Sequence, residues 1–107
     1  MELEVGEIKD SHLELGLSDD QVLDLYRKLL LTRIVDDRTW ALNRQGRAPF
    51  VVSSSGHEAA QVASAFALDP TIDWCLPYYR DIGVALAWGF TPYDYFMTVF
   101  SRAADVT

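Results

Sequence analysis

Arg80 is the residue whose type and setting most invite chemistry. It stands in Tyr78-Tyr79-Arg80-Asp81, directly ahead of the apolar run Ile82-Gly83-Val84-Ala85-Leu86-Ala87-Trp88. A guanidinium presents a fork of donors matched to carboxylate or phosphate oxygens, and close to a helix start free backbone amides reinforce its charge. The tetrapeptide is therefore a candidate anion-binding corner. The alternative is a structural ion pair from Arg80 to Asp81 or Glu58, with Tyr78 and Tyr79 as core or interface aromatics.

The other chemically able residues are better explained by structure. His57, in Gly56-His57-Glu58, could act as an acid or base, but its place at a helix start accounts for it more simply. The Ser53-Ser54-Ser55 run has no base at diagnostic spacing and reads as a turn followed by a cap. Phe50, beside that loop, is core by type. Cys75 stands alone, so it forms no internal disulfide and has no companion at metal-ligand spacing. There is no glycine-rich phosphate loop and no metal motif.

Four start signals set the elements that must position the corner. Ser18-Asp19-Asp20-Gln21 has capping-box spacing and opens a helix whose apolar positions Val22, Leu25, Tyr26, Leu29, Leu30, Ile34, Trp40 and Leu42 recur at three and four. It runs to Gly46, a C-terminal stop, over about 40 Å. The other face carries Arg27, Lys28, Arg33, Asp37, Arg38 and Arg44, a solvated face with i,i+4 pairs or, as the alternative, part of an interface. After the extended Ala48-Pro49-Phe50-Val51-Val52, Ser55-Gly56-His57-Glu58 repeats the cap-box spacing before an alanine-rich helix over 59–68. A helix so poor in bulky side chains is expected to lie buried against other backbone, with more protein around it than this chain supplies. Next come a short buried segment, Trp74 to Pro77, and a helix from about Asp81 to Trp88 stopped by Gly89. Thr91-Pro92-Tyr93-Asp94 then starts a last helix that ends near Ser101.

The totals narrow the partners. Nine basic against sixteen acidic residues give a formal charge of −7, which leaves no broad positive field for nucleic acid or an anionic membrane. Half of the 107 residues are apolar, enough for a core. The acidic first residues do not resemble a signal or transit peptide, and no run approaches the roughly 20 apolar residues of a spanning helix. The expectation is a soluble, cytoplasmic, bacterial protein. Composition and spacing stop there, at a mainly α module with one anion-binding corner.

The motifs taken together go further. Arg44-Gln45-Gly46-Arg47, Gly56-His57-Glu58-Ala59-Ala60-Gln61-Val62, Asp73-Trp74 and Pro77-Tyr78-Tyr79-Arg80-Asp81 with Gly83, in this order, resemble the N-terminal third of the alpha subunit of thiamine-diphosphate-dependent 2-oxo acid dehydrogenases. The likeness spans residues 18–102. It implies the N-terminal helical part of an α/β thiamine-diphosphate-binding fold over residues 18–107; residues 1–17 ahead of it, acidic and aliphatic in turn without a sustained period, read as a loose arm. It also implies oxidative decarboxylation of a 2-oxo acid and transfer of the acyl unit to a lipoyl group on an acyltransferase component. Two alpha and two beta chains would form the enzyme. By the same resemblance Tyr78, Tyr79 and Arg80 contact thiamine diphosphate, with Arg80 on the diphosphate, while Phe50 and Tyr79 lie by the substrate.

Two departures from the family pattern matter. Many pyruvate-specific members carry a histidine four positions before the glycine of the Gly-x-Glu motif, where this chain has Val52. That favours a branched-chain 2-oxo acid, with pyruvate as the alternative. The Gly-Asp-Gly segment and later asparagine through which the family binds magnesium diphosphate do not occur in these residues, so the chain alone is expected to be inactive. A non-catalytic helical interaction module is the reading from a different class.

Overall fold

The computed structural model describes residues 11–105; the first ten positions of the expected arm lie outside it. Five helices follow one another: α1 (Ser11–Glu14), α2 (Asp19–Arg44), α3 (Glu58–Phe66), α4 (Ile82–Ala87) and α5 (Pro92–Val99). There is no strand among the described residues, which makes this part of the chain mainly α. Part of the arm is thus ordered as α1, which docks on α2.

Helix α2 begins as its sequence dictates. The Ser18 hydroxyl accepts from the Gln21 amide at 3.2 Å, and Gln21 Oε1 accepts from the Ser18 amide at 2.9 Å. At the far end Gly46 takes φ +73°, and the amides of Gly46 and Arg47 return to the carbonyls of Asn43 and Leu42. This paired closure needs a left-handed residue, which glycine supplies without steric cost. Helix α4 stops the same way at Gly89. Helix α5 starts with a second reciprocal box between Thr91 and Asp94.

The inward face of α2 differs from the expected one. Its buried residues are Thr32, Val35, Asp36, Thr39 and Leu42, whereas Tyr26, Leu30 and Ile34 are exposed. A helix pattern reports which residues could be buried, and the partner decides which are. The buried hydroxyls are satisfied locally: Thr32 donates to the Lys28 carbonyl at 2.8 Å and Thr39 to that of Val35 at 2.6 Å. On the outer face one i,i+4 pair forms, Lys28 with Asp24.

Helices α3 and α4 pack on each other and both pack on α2. Their small core comprises Val35, Leu42, Ala48, Val62, Ala65, Val84 and Leu86. The Trp88 indole ties α4 to α3 by donating to the Ala65 carbonyl at 3.0 Å. The alanine-rich helix is not buried all round, since Ala59, Ala60 and Ala63 face outward. Nor is the segment from Trp74 to Pro77 buried: Trp74 is 94% and Leu76 98% exposed. Apolar type predicted burial there, but no described element lies over that side.

Candidate functional site

The site is assembled by three loops held on α2 and α3. In the first, the tetrapeptide closes on itself: the Tyr78 amide donates to Asp81 Oδ2 at 3.0 Å and the Asp81 amide returns to the Tyr78 carbonyl at 2.8 Å. This turn places the Tyr78 and Tyr79 rings 4.1 Å apart by centroid and leaves both largely exposed. The half-buried Arg80 lies with its guanidinium carbon 5.9 Å from the centre of the Tyr79 ring, within the range of a cation–π contact.

The guanidinium donates to the Ser53 carbonyl. That bond joins the tetrapeptide to the second loop, which Phe50 opens. The Ser53–Ser54 backbone is in turn fixed by Asp36 on the buried face of α2: its carboxylate accepts from the Ser53 hydroxyl at 2.7 Å and from the Ser54 amide at 2.9 Å. Arg80, Phe50 and the tyrosines are therefore carried on loops that meet. Phe50 itself is 74% exposed rather than in the core, since no described element packs over its ring on the irregular segment that follows the bends at 47–49.

The third loop leads into α3, and here the expected capping box does not form. The His57 amide closes a turn on the Ser54 carbonyl at 2.9 Å, and His57 rather than Ser55 takes the cap position, without a side-chain bond. Glu58 instead reaches back to the Gly56 amide at 2.8 Å and pairs with Arg33 of α2. The Arg33 hydrogen bond holds the Glu58 carboxyl below its usual range against the opposing effect of burial. Arg33 is raised in return, by that bond first and the Glu58 charge second.

Neither structural partner expected for Arg80 is available to it. Glu58 is committed to Arg33, and Asp81 to the Tyr78 amide and to Gln61. Among the described residues no carboxylate stands within ion-pair distance of Arg80. The one described polar partner of its guanidinium is a neutral carbonyl, which leaves a full positive charge beside two exposed aromatic rings. The helix contribution foreseen from sequence is reduced, because α4 is short and its Gly83 amide already donates to Gln61 Oε1 at 3.1 Å.

Asp36, Gln61 and the Arg33–Glu58 pair are the supporting residues that sequence reasoning missed. The signal that could have found Asp36 is a polar series at helical spacing, Thr32, Asp36 and Thr39, on one side of an otherwise apolar helix. An open cavity of about 450 Å³ adjoins this support, lined by Asp36, Asp37, Trp40, Arg44, Ser53 and Ser55. A second, more apolar one of about 340 Å³ lies between Cys75 and Pro77 on one side and Val84, Ala85, Trp88 and Phe90 on the other. No group of three or more His, Cys, Asp or Glu able to hold a metal occurs among the described residues, and no helix there is long and apolar enough to cross a membrane.

Comparison with known proteins agrees with the motif reading. The dehydrogenase E1 component family matches residues 26–106. The 2-oxoisovalerate dehydrogenase subunit alpha of Bacillus subtilis is 55% identical over 94 residues, which is 88% of this chain and 28% of the relative. The pyruvate dehydrogenase E1 component subunit alpha is 42% identical in Bacillus cereus and 40% in Bacillus subtilis, each over 92% of this chain and 26% of the relative. The chain thus spans little more than a quarter of the length of these relatives. No solved structure matches it.

Proposed function

The chain belongs to the dehydrogenase E1 component family, and on that premise we propose that it forms the N-terminal part of a branched-chain 2-oxo acid dehydrogenase alpha subunit. In this reading Tyr78, Tyr79 and Arg80 contact thiamine diphosphate, and Phe50 and Tyr79 border the substrate. The carrying observation is the guanidinium of Arg80, anchored by a backbone carbonyl and paired with no described carboxylate. A cation fixed in place but not neutralised fits a diphosphate oxygen.

Bound thiamine diphosphate supplies the electron sink for loss of carbon dioxide from a 2-oxo acid. The described residues bind and orient. Arg80 holds the diphosphate end, and its contact with Tyr79 sets the angle of that ring between cofactor and substrate. Phe50 offers an exposed apolar face suited to a branched aliphatic chain. Magnesium would accompany the diphosphate, held by side chains other than those described. A beta subunit, a second alpha chain and a lipoyl-bearing acyltransferase complete the assembly in the cytoplasm. By itself the 107-residue chain turns nothing over.

The higher identity to the 2-oxoisovalerate relative than to the two pyruvate relatives supports the branched-chain substrate. Pyruvate is the second reading, since those relatives also align over nearly the whole chain. The test is a holoenzyme of the Bacillus subtilis relative whose alpha chain carries this sequence in place of the segment it matches. Arg80→Ala should weaken thiamine diphosphate binding by about 2–4 kcal/mol; unchanged binding would return Arg80 to a structural role. Preference for pyruvate over 2-oxoisovalerate by about tenfold would overturn the branched-chain assignment.

A further inference from the structure

We propose that Gln61 is the positioning residue of the Arg80 corner, an inference that rests on the cofactor reading above. Its side chain, 5% exposed, comes from α3 and enters the gap between α2 and α4. There it makes three hydrogen bonds. Nε2 donates to the Arg80 carbonyl at 2.9 Å and to Asp81 Oδ1 at 3.3 Å, and Oε1 accepts from the Gly83 amide at 3.1 Å. Backbone of Arg80, side chain of Asp81 and first turn of α4 are thereby gripped by one amide group.

The chemistry of the three partners admits one orientation only. Turned over, the amide would set its carbonyl against the Arg80 carbonyl and the Asp81 carboxylate, and its NH₂ against the Gly83 N–H. Glutamine is the side chain with the reach and the mixed donor and acceptor ends for the task. The fit is also closed sterically. A Cβ at position 83 would stand 2.6 Å from Gln61 Oε1, 3.0 Å from Gln61 Cβ and 3.2 Å from Thr32 Cγ2. Gly83 thus leaves the space that Gln61 fills, and Asp81 passes the constraint on by binding the Tyr78 amide. Both ends of the tetrapeptide are set from α3, while the guanidinium, held by the Ser53 carbonyl, keeps its charge unpaired by any described carboxylate.

Gln61→Glu keeps the size and the acceptor for Gly83 but turns the donor end into an oxygen facing the Arg80 carbonyl and the Asp81 carboxylate. Gln61→Met keeps the volume and removes every polar contact. In the hybrid holoenzyme described above, Gln61→Glu should raise the KM for thiamine diphosphate about tenfold, in keeping with a buried hydrogen-bonding group left unpaired. The kcat at saturating cofactor should stay within about twofold. Gln61→Met should do the same if Gln61→Glu fails to fold.

A double-mutant cycle separates positioning from plain structural support. If Gln61 acts through Arg80, adding Gln61→Glu to Arg80→Ala should change the cofactor KM by less than about twofold. Fully additive losses would overturn the proposal. So would Gln61 variants that bind cofactor normally while Arg80→Ala binds it weakly. An Arg80→Ala enzyme with normal cofactor affinity would remove the cofactor reading itself and this role with it.

Discussion

Two neighbouring stretches of the chain, 53–61 and 72–79, solve opposite problems. The first is held by side chains: Asp36 grips Ser53 and Ser54, Glu58 is held by Arg33 and Gly56, and Gln61 reaches across to the next loop. The second has apolar side chains in open solvent, with Ile72, Trp74 and Leu76 nearly bare. Trp74, Cys75 and Leu76 exchange no backbone hydrogen bond with any described residue. Polar residues thus bring order to the first stretch, while the apolar residues of the second find no cover among the described residues. Buried polar groups must be matched one by one, so they fix geometry, whereas an exposed apolar segment gains little from any one position.

The contrast breaks most sharply at Asp36. Asp36→Ala leaves the Ser53 hydroxyl and the buried Ser54 amide without their acceptor, and should cost about 2–3 kcal/mol in urea unfolding of the chain. An unchanged midpoint would mean that the 53–54 loop is not held from α2. Acidification should act next, through Glu58. Its carboxyl titrates lower when folded than when unfolded, so its contribution is fully present above the unfolded value and is lost as pH falls through the folded one. Urea midpoints taken from about pH 6 down to about pH 3 should therefore decline less in Glu58→Gln than in the parent chain, which already has less to lose. The smallest effect belongs to the bare stretch. Leu76→Ser should move the midpoint of the isolated chain by no more than about 0.5 kcal/mol, because the side chain has almost no contacts to forfeit. A larger loss would show that the segment is covered.

What could be read from sequence follows the range of the interactions concerned. The start of α2 at Ser18, its stop at Gly46 and the box at Thr91–Asp94 are written within a few residues of where they act, and all three appear as expected. The Ser55–Glu58 spacing carried the same local signal but failed, because a distant arginine, Arg33, and a turn at Gly56 took the glutamate. The corner itself was legible as a candidate from Arg80 and its neighbours. Its supports were not: Asp36, Gln61 and Ser53 lie 17 to 27 positions from the groups they bind, and no period or cap reports such pairings. Burial of Trp74 and Leu76 was expected from side-chain type alone, which fails where no described element packs over the segment.

The exposure of Trp74 also makes the chain its own optical reporter. Of its three tryptophans, Trp88 is partly sheltered and bonded to Ala65, Trp40 stands at the edge of the cavity beside Asp36, and Trp74 meets water on nearly every side. Trp74 should therefore dominate the red part of the emission and the quenching by acrylamide. Any chain that settles over the 72–76 stretch would shift that emission to shorter wavelength and protect it from quencher, while Trp40, which lines a cavity with none of those residues, stays as it was.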